Sequence, residues 1–431
     1  MAARIARSTS DGVMISSTLV FDSLKPATHA GAAVARAEAA PTAELELELV
    51  RSIEGLEKIE AEWNELFERA GRSIQVFQTF NWIWHWASHF MTPPADGASK
   101  AETELAVLTG RRQGRIAIIW PLVLQRSAGI KVLSWAGDPV GQYGDVLVAP
   151  GPDTAELLRA SWSHIKSTLK PDVLNLRKVR ADATITPLLT EIGAVTVCST
   201  AAPYLDLRGV KDFSTYEQRY SAKARKNRRR LLRRLEERGP VSVEFLRTGA
   251  DARDRARHAI SLKRAWLKER GLVSPALMDE RFARFFEDVA AAGDHDTTCR
   301  ISALRSCGET AAIDIGFGCK GRLALHVIVY GLKFEKAGAG VLLFEKSIAA
   351  AIAEGYDTID LLAPADSYKL DWADGAVDVH DFAVPVTTLG KLYSRVYLKL
   401  ARQTLKSSLA RLPLSVRRFF ATGYATALIL S

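Results

Sequence analysis

Cysteine is scarce: Cys198, Cys299, Cys307 and Cys319 are the only four in 431 residues, with no CxxC pair and no histidine at metal-ligand spacing beside them. That excludes a disulfide scaffold and argues against structural zinc, so reduced thiols and no metal are expected. Long apolar runs are absent as well. None approaches the roughly 18 residues of a membrane span, and the N-terminus has no continuous signal-type segment, so a cytoplasmic location is expected. With 48% hydrophobic and 25% charged residues the chain is neither disordered nor collagen-like. Its length suits two or three domains. Acid is missing from one place in particular. Between Lys391 and Ser431 there are eight basic residues and no acidic one, so most of the net charge of +9 belongs to the tail.

Residues 1–43 are rich in Ala, Ser, Thr and Gly without a sustained period and read as a disordered arm. From Glu44 the pattern is globular. "LELELV" alternates as a strand, and Leu56, Ile59, Trp63 and Leu66 follow at helical spacing. Trp82, Trp84 and Trp86 suggest ring stacking on a sugar or base, but a buried helix seating two domains is the preferred reading. A hairpin, short strands, a helix near 154–169 and further strands complete a mixed domain over 44–208. The second half, 209–390, opens on a long helix at Phe213–Arg238. After more helices it forms a three-strand meander ("TCRISALRS", "TAAIDIGFGCKG", "RLALHVIVYG"), then "KAGAG" at a helix start, then "YDTIDLLAP".

The Gly-rich turn carries the first chemical reading. A helix N-terminus leaves backbone N–H groups unpaired and favours anions, and glycines admit a close ligand. Gly338, Ala339, Gly340 and Val341 are therefore candidates to hold a phosphate, with Lys333 and Lys336 adding charge. The pattern is not a P-loop, since GxxxxGK[ST] is missing. The segment "DLLAPADSYKLDW" carries the second. Asp360 ends a strand, and Asp366, Tyr368 and Lys369 follow in a turn. An ammonium there suits an oxyanion, and a carboxylate suits proton removal from an acceptor. Asp314, His326 and Tyr330 on the meander are rivals, although a lone histidine in an apolar strand reads first as core. No GxSxG elbow supports a covalent route.

The order strand–strand–strand, Gly-rich turn, helix, strand over 297–385 resembles the core of the GNAT acyltransferases, whose (Q/R)xxGx(G/A) turn grips coenzyme A pyrophosphate. Here Glu335 stands at the Gln/Arg position. More specifically, "EWNELF", "FQTFNWIWHW", "IIWPLVL", "GQYGDVLV", "YSAKARKNRRRLLRRLEERG", "AGAGVLLFEKSI" and "IDLLAPADSYKLDWA" resemble, in order, the CelD/BcsL-like branch of that superfamily, related to the FemABX transferases. The resemblance implies an α/β (α+β) fold of two GNAT-like halves, each a mixed, largely antiparallel sheet flanked by helices. It implies acetyl-CoA or another acyl-CoA as co-substrate and a sugar, exopolysaccharide or envelope precursor as acceptor, with Lys369 beside the acyl group.

Two further partners are expected from charge. Eight cations between Lys223 and Arg234 spread around a helix, which fits an anionic partner. FemABX relatives use aminoacyl-tRNA, so an aminoacyl transferase is the alternative, and a non-catalytic scaffold for a polysaccharide synthase is a third reading. The 391–431 tail, with Lys391, Arg395, Lys399, Arg402 and Lys406 on one side of a helical wheel, reads as a basic amphipathic helix. Its 391–418 stretch fits an anionic membrane surface and peripheral association with the inner membrane. DNA is not an expected partner.

Overall fold

The computed structural model describes residues 45–91, 102–127, 129–272, 274–292 and 298–401; the expected arm at 1–43 and the tail beyond 401 lie outside them. The strands are β1 (Leu45–Val50), β2 (Glu102–Leu105), β3 (Val107–Arg112), β4 (Arg115–Trp120), β5 (Leu122–Ser127), β6 (Ile130–Trp135), β7 (Leu147–Val148), β8 (Val173–Arg180), β9 (Val195–Asp206), β10 (Val241–Leu246), β11 (Thr298–Ser306), β12 (Glu309–Cys319), β13 (Arg322–Tyr330), β14 (Thr358–Asp360) and β15 (Gly375–Pro385). They form a four-stranded sheet, β1-β3-β4-β7, and an eleven-stranded sheet, β10-β11-β12-β13-β14-β9-β15-β8-β6-β5-β2. The fold is the expected mixed one, with helices flanking largely antiparallel sheets.

The halves repeat one device. In the first, β6 and β8 are parallel and joined across the Thr154–Leu169 helix; in the second, β13 and β14 are parallel and joined across the Ala339–Ala353 helix. Parallel neighbours need such a crossover. The last strand of each half then crosses over to the other: β9 lies between β14 and β15, and β15 lies between β9 and β8. The sheet is therefore continuous, and the described residues form one compact unit.

Trp82 and Trp86 of the tryptophan cluster are core, and Trp84 is half-buried. Thr79 caps the Phe80–Phe90 helix by accepting from Trp82 N, and Trp82 is fully buried. Its ring meets Phe285 and Phe317 edge-on, each with centroids 4.9 Å apart. Burying each such ring contributes about 1.5–3 kcal/mol, so this helix seats the second half on the first.

Two expectations need correction. The helix expected over Phe213–Arg238 is broken: a short helix at Phe213–Tyr216 and a 3-10 turn precede Tyr220, which is extended at φ −85°, ψ 148°. Ser221 then caps a new helix, Ala222–Glu236, by accepting from Ala224 N. The break seats the Tyr220 ring edge-on against Trp372, 5.1 Å away. The start of the tail is helical and packs on the body instead of standing free: Ser394 and Leu398 are buried and Tyr393 and Tyr397 lie half-buried against Val132, Val173 and Ala383, which leaves Leu392 and Val396 exposed.

Candidate active site

The site begins where a strand pair comes apart. β13 and β14 pair only at Arg322–Thr358, Leu323–Ile359 and Ala324–Asp360, after which β14 ends. From Leu325 to Tyr330 the edge of β13 on that side has no strand beside it among the described residues. A bulge sharpens the divergence: Leu325 and Val327 pair with Gly316 and Ile315, so His326 is the extra residue. Bulges bend a strand and re-aim its side chains. An open edge flanked by helices is a cleft able to take an extended ligand.

At one end of the cleft lies the Gly-rich turn. Leu332–Ala337 forms a 3-10 turn, Gly338 takes the left-handed conformation (φ +70°), and the Ala339–Ala353 helix starts there. The first bond back into this start is Leu342 N to Gly338 O, so the N–H groups of Ala339, Gly340 and Val341 have no acceptor within the helix. A Cβ on Gly338 would stand 2.7 Å from Leu231 Cδ1, and one on Gly340 would stand 3.0 Å from Tyr330 Cδ1. Both glycines are thus required by the chain's own packing on Leu231 and Tyr330, and the three N–H groups are what the turn offers an anion. Of its expected cations, Lys336 is exposed and Lys333 is paired with Glu309. Glu335, the odd residue of the motif, is neutralised by Arg270, and both contact the Tyr330 hydroxyl.

At the other end lies Lys369, on the short turn Ser367–Leu370 and only 7% exposed. Its Nζ donates to Leu362 O and Pro364 O, each at 2.9 Å, leaving one of three N–H donors over. Burial pushes its pKa down to about 8, with Asp366 and Asp360 opposing the shift and the Lys263 ammonium adding to it. Asp366 is exposed, 3.9 Å from Lys369 Nζ. Tyr368 is 47% exposed, and burial of its hydroxyl together with Asp366 raises it to about 12, so it is a neutral phenol near pH 7.

Asp360 belongs elsewhere. Fully buried, it accepts from the Tyr143 hydroxyl at 2.8 Å, Leu362 N at 3.0 Å, and the guanidiniums of Arg180 and Arg322 at 3.1 Å each. Two of these donors come from the first half. Leu362 is left-handed at φ +59°, a conformation costly for a leucine, and its N–H is held by Asp360 while its carbonyl holds Lys369. Asp360 therefore positions the lysine and is not brought into the cleft with Asp366, Tyr368 and Lys369.

The rivals separate similarly. Asp314 is 1% exposed beneath the Ala339–Ala353 helix, where Ser347 donates to it and burial raises its carboxyl. His326 Nε2 lies 2.6 Å from Val140 O, and its ring packs on Phe286, 4.9 Å away; burial lowers it to about 4. Tyr330 does reach the cleft.

Sequence reasoning missed Lys263 and its neighbours. Lys263, on the Ala250–Glu269 helix, donates to Ile328 O at 3.0 Å on the open edge of β13, and burial lowers its pKa. The spacing Lys263, Trp266, Arg270 was the available signal. It also missed Arg228, which is 5% exposed, with its guanidinium 4.9 Å from the Tyr220 ring and 5.0 Å from Trp372, pairing with Glu345.

Residues 222–370 match the family model for an acetyltransferase (GNAT) domain. No curated protein matches the chain. Among solved structures, FemX is 11% identical, with TM-score 0.51 over 81% of this chain and 99% of that one. A tandem GNAT protein from the clavulanic acid biosynthesis pathway is 16% identical (TM-score 0.44, 78% of this chain, 98% of that one). L-PGS from Bacillus licheniformis is 12% identical (TM-score 0.47, 78% and 95%). In fold the chain is similar to FemX, and its segment from Ala222 to Leu370, which holds the open strand edge, the Gly-rich turn and Lys369, is similar to the GNAT acetyltransferase domain.

Proposed function

We propose that this protein is an acyl-CoA-dependent N- or O-acyltransferase that acts directly, without a covalent enzyme intermediate, on a sugar, exopolysaccharide or envelope precursor. The observation that carries the reading is the cleft of β13, with free helix N–H groups at one end and a buried ammonium at the other. Ala339, Gly340 and Val341 N–H hold the coenzyme A pyrophosphate, helped by Lys336. The spare N–H of Lys369 polarises the acyl carbonyl and stabilises the oxyanion as the acceptor attacks. Asp366, the exposed carboxylate nearest that ammonium, takes the acceptor's proton. Tyr368 donates to the leaving thiolate.

The test is calorimetric binding of acetyl-CoA, then turnover with an acceptor panel. Binding weakened by Gly340→Glu and turnover lost in a folded Lys369→Met support the reading. No binding of any acyl-CoA overturns it. A second donor has support in one feature: Lys223, Lys226, Arg229, Arg230, Arg233 and Arg234 are exposed on the helix that covers Gly338. Such a surface suits a polyanionic donor such as aminoacyl-tRNA, whose use would make turnover sensitive to RNase. Exposed Leu389, Leu392 and Val396 beside exposed Lys391 and Arg395 support peripheral attachment to an anionic membrane.

A further inference from the structure

The Ala250–Glu269 helix and the residue after it place three donors over the open edge of β13. Lys263, Trp266 and Arg270 stand at i, i+3 and i+7, a spacing that stacks side chains on one side of a helix. Lys263 Nζ and the Arg270 guanidinium lie 4.8 Å and 4.5 Å from the centre of the Trp266 ring. Tyr330 closes the group, its ring edge-on to Trp266 and its hydroxyl 3.0 Å from Arg270 Nη2.

This group is short of acceptors. Trp266 Nε1 and Arg270 Nε are both buried without a hydrogen-bond partner. An indole N–H and a guanidinium N–H can only donate, and buried donors are rarely left unpaired. Lys263 uses one of its three N–H groups, on Ile328 O. The carboxylates at hand, Asp366 and Glu335, are 54% and 49% exposed and lie at the rim. Asp360 is spent on Arg180 and Arg322. Donors on one side of this helix, and the spare N–H of Lys369, are thus left without a protein oxygen.

We propose that Lys263, Trp266 and Arg270 form a subsite for an anionic oxygen group of the acceptor, a carboxylate or a phosphate, next to Lys369. The proposal rests on the transferase reading and narrows its acceptor to an acidic one. The anion would be held by the Lys263 ammonium, the indole N–H and the Arg270 Nε–H, with the nucleophile directed along β13 toward Lys369. Filling the subsite would also screen Lys263 from Lys369, so acceptor binding would keep the catalytic ammonium charged.

The experiment titrates inorganic phosphate and, separately, sodium acetate into the full chain held at saturating acetyl-CoA, so that the Gly-rich turn is already occupied. Binding is read by calorimetry. One anion is expected to bind at a single site, and the tighter one identifies the acceptor's group as phosphate or carboxylate. Lys263→Met should weaken that binding at least tenfold and Trp266→Phe about threefold, with Lys263→Arg restoring most of it. Arg159→Gln, an exposed arginine of the first half, should leave it unchanged. Failure of both anions to bind, or equal binding by Lys263→Met, overturns the subsite. Should acetyl-CoA itself not bind, the donor assignment fails, yet the same titration without it, compared between wild type and Lys263→Met, still decides the subsite.

Discussion

Lys369 makes the sharpest demand on the mechanism, because its role requires the charged form and its site disfavours charge. Burial brings its pKa from 10.5 to about 8, which leaves about nine-tenths protonated at pH 7 and one-tenth at pH 9. The rate should therefore fall about tenfold per pH unit above 8. Acceptor ionisation is removed by taking the ratio of wild-type kcat/KM to that of Lys369→Arg, whose guanidinium stays charged throughout. That ratio should show a single descending limb with its midpoint near pH 8. Neighbours shift it in known directions: Asp366→Asn removes a carboxylate that favours the ammonium and moves the midpoint down, while Lys263→Met removes a like charge and moves it up. Lys369→Met should lower kcat by about 100- to 1000-fold, roughly 3–4 kcal/mol of transition-state stabilisation. A flat ratio between pH 7 and 9.5, or shifts of opposite sign in the two neighbours, would refute an ammonium at the carbonyl.

Asp360 and His326 give two further tests. Asp360→Asn leaves the Arg180 and Arg322 guanidiniums with a neutral partner in a buried place, so about 3 kcal/mol of stability should be lost and the thermal midpoint should drop by several degrees; an unchanged midpoint would show that the network adds nothing. His326 is held near pKa 4 by burial, against 6.5 when unburied. Its native form binds the proton less readily than the unfolded chain, so its contribution is fully present above pH 6.5 and is lost as pH falls from 6.5 toward 4, by about 3 kcal/mol. His326→Phe should flatten that part of a urea-denaturation pH profile, and an identical slope in the variant would remove His326 as its cause.

The class of fold was legible in one dimension. Period-two runs and amphipathic helices made the mixed architecture readable, and glycines after a meander marked a helix start. The lysine segment was legible as a turn after a strand, but that Lys369 is buried while Asp366 is exposed was not. Charge density was legible too, but assigning all eight cations to an anionic partner missed that Arg228 is buried among Tyr220, Trp372 and Glu345.

What sequence alone determined was composed of local preferences: which residues alternate, where helices start, which segments carry charge. Only the tertiary structure separated Asp360 from Asp366. Both are aspartates six residues apart, yet one is enclosed by Arg180, Arg322 and Tyr143 and the other faces solvent. Those enclosing groups lie 180, 38 and 217 residues away along the chain, and no local pattern encodes a meeting over such distances. The same holds for Lys263 and Lys369, whose shared cleft exists because β13 outruns β14 and a helix from earlier in the chain fills the angle between them. Burial and charge pairing are properties of the assembled sheet, so the roles of these residues were decided when the strands came together.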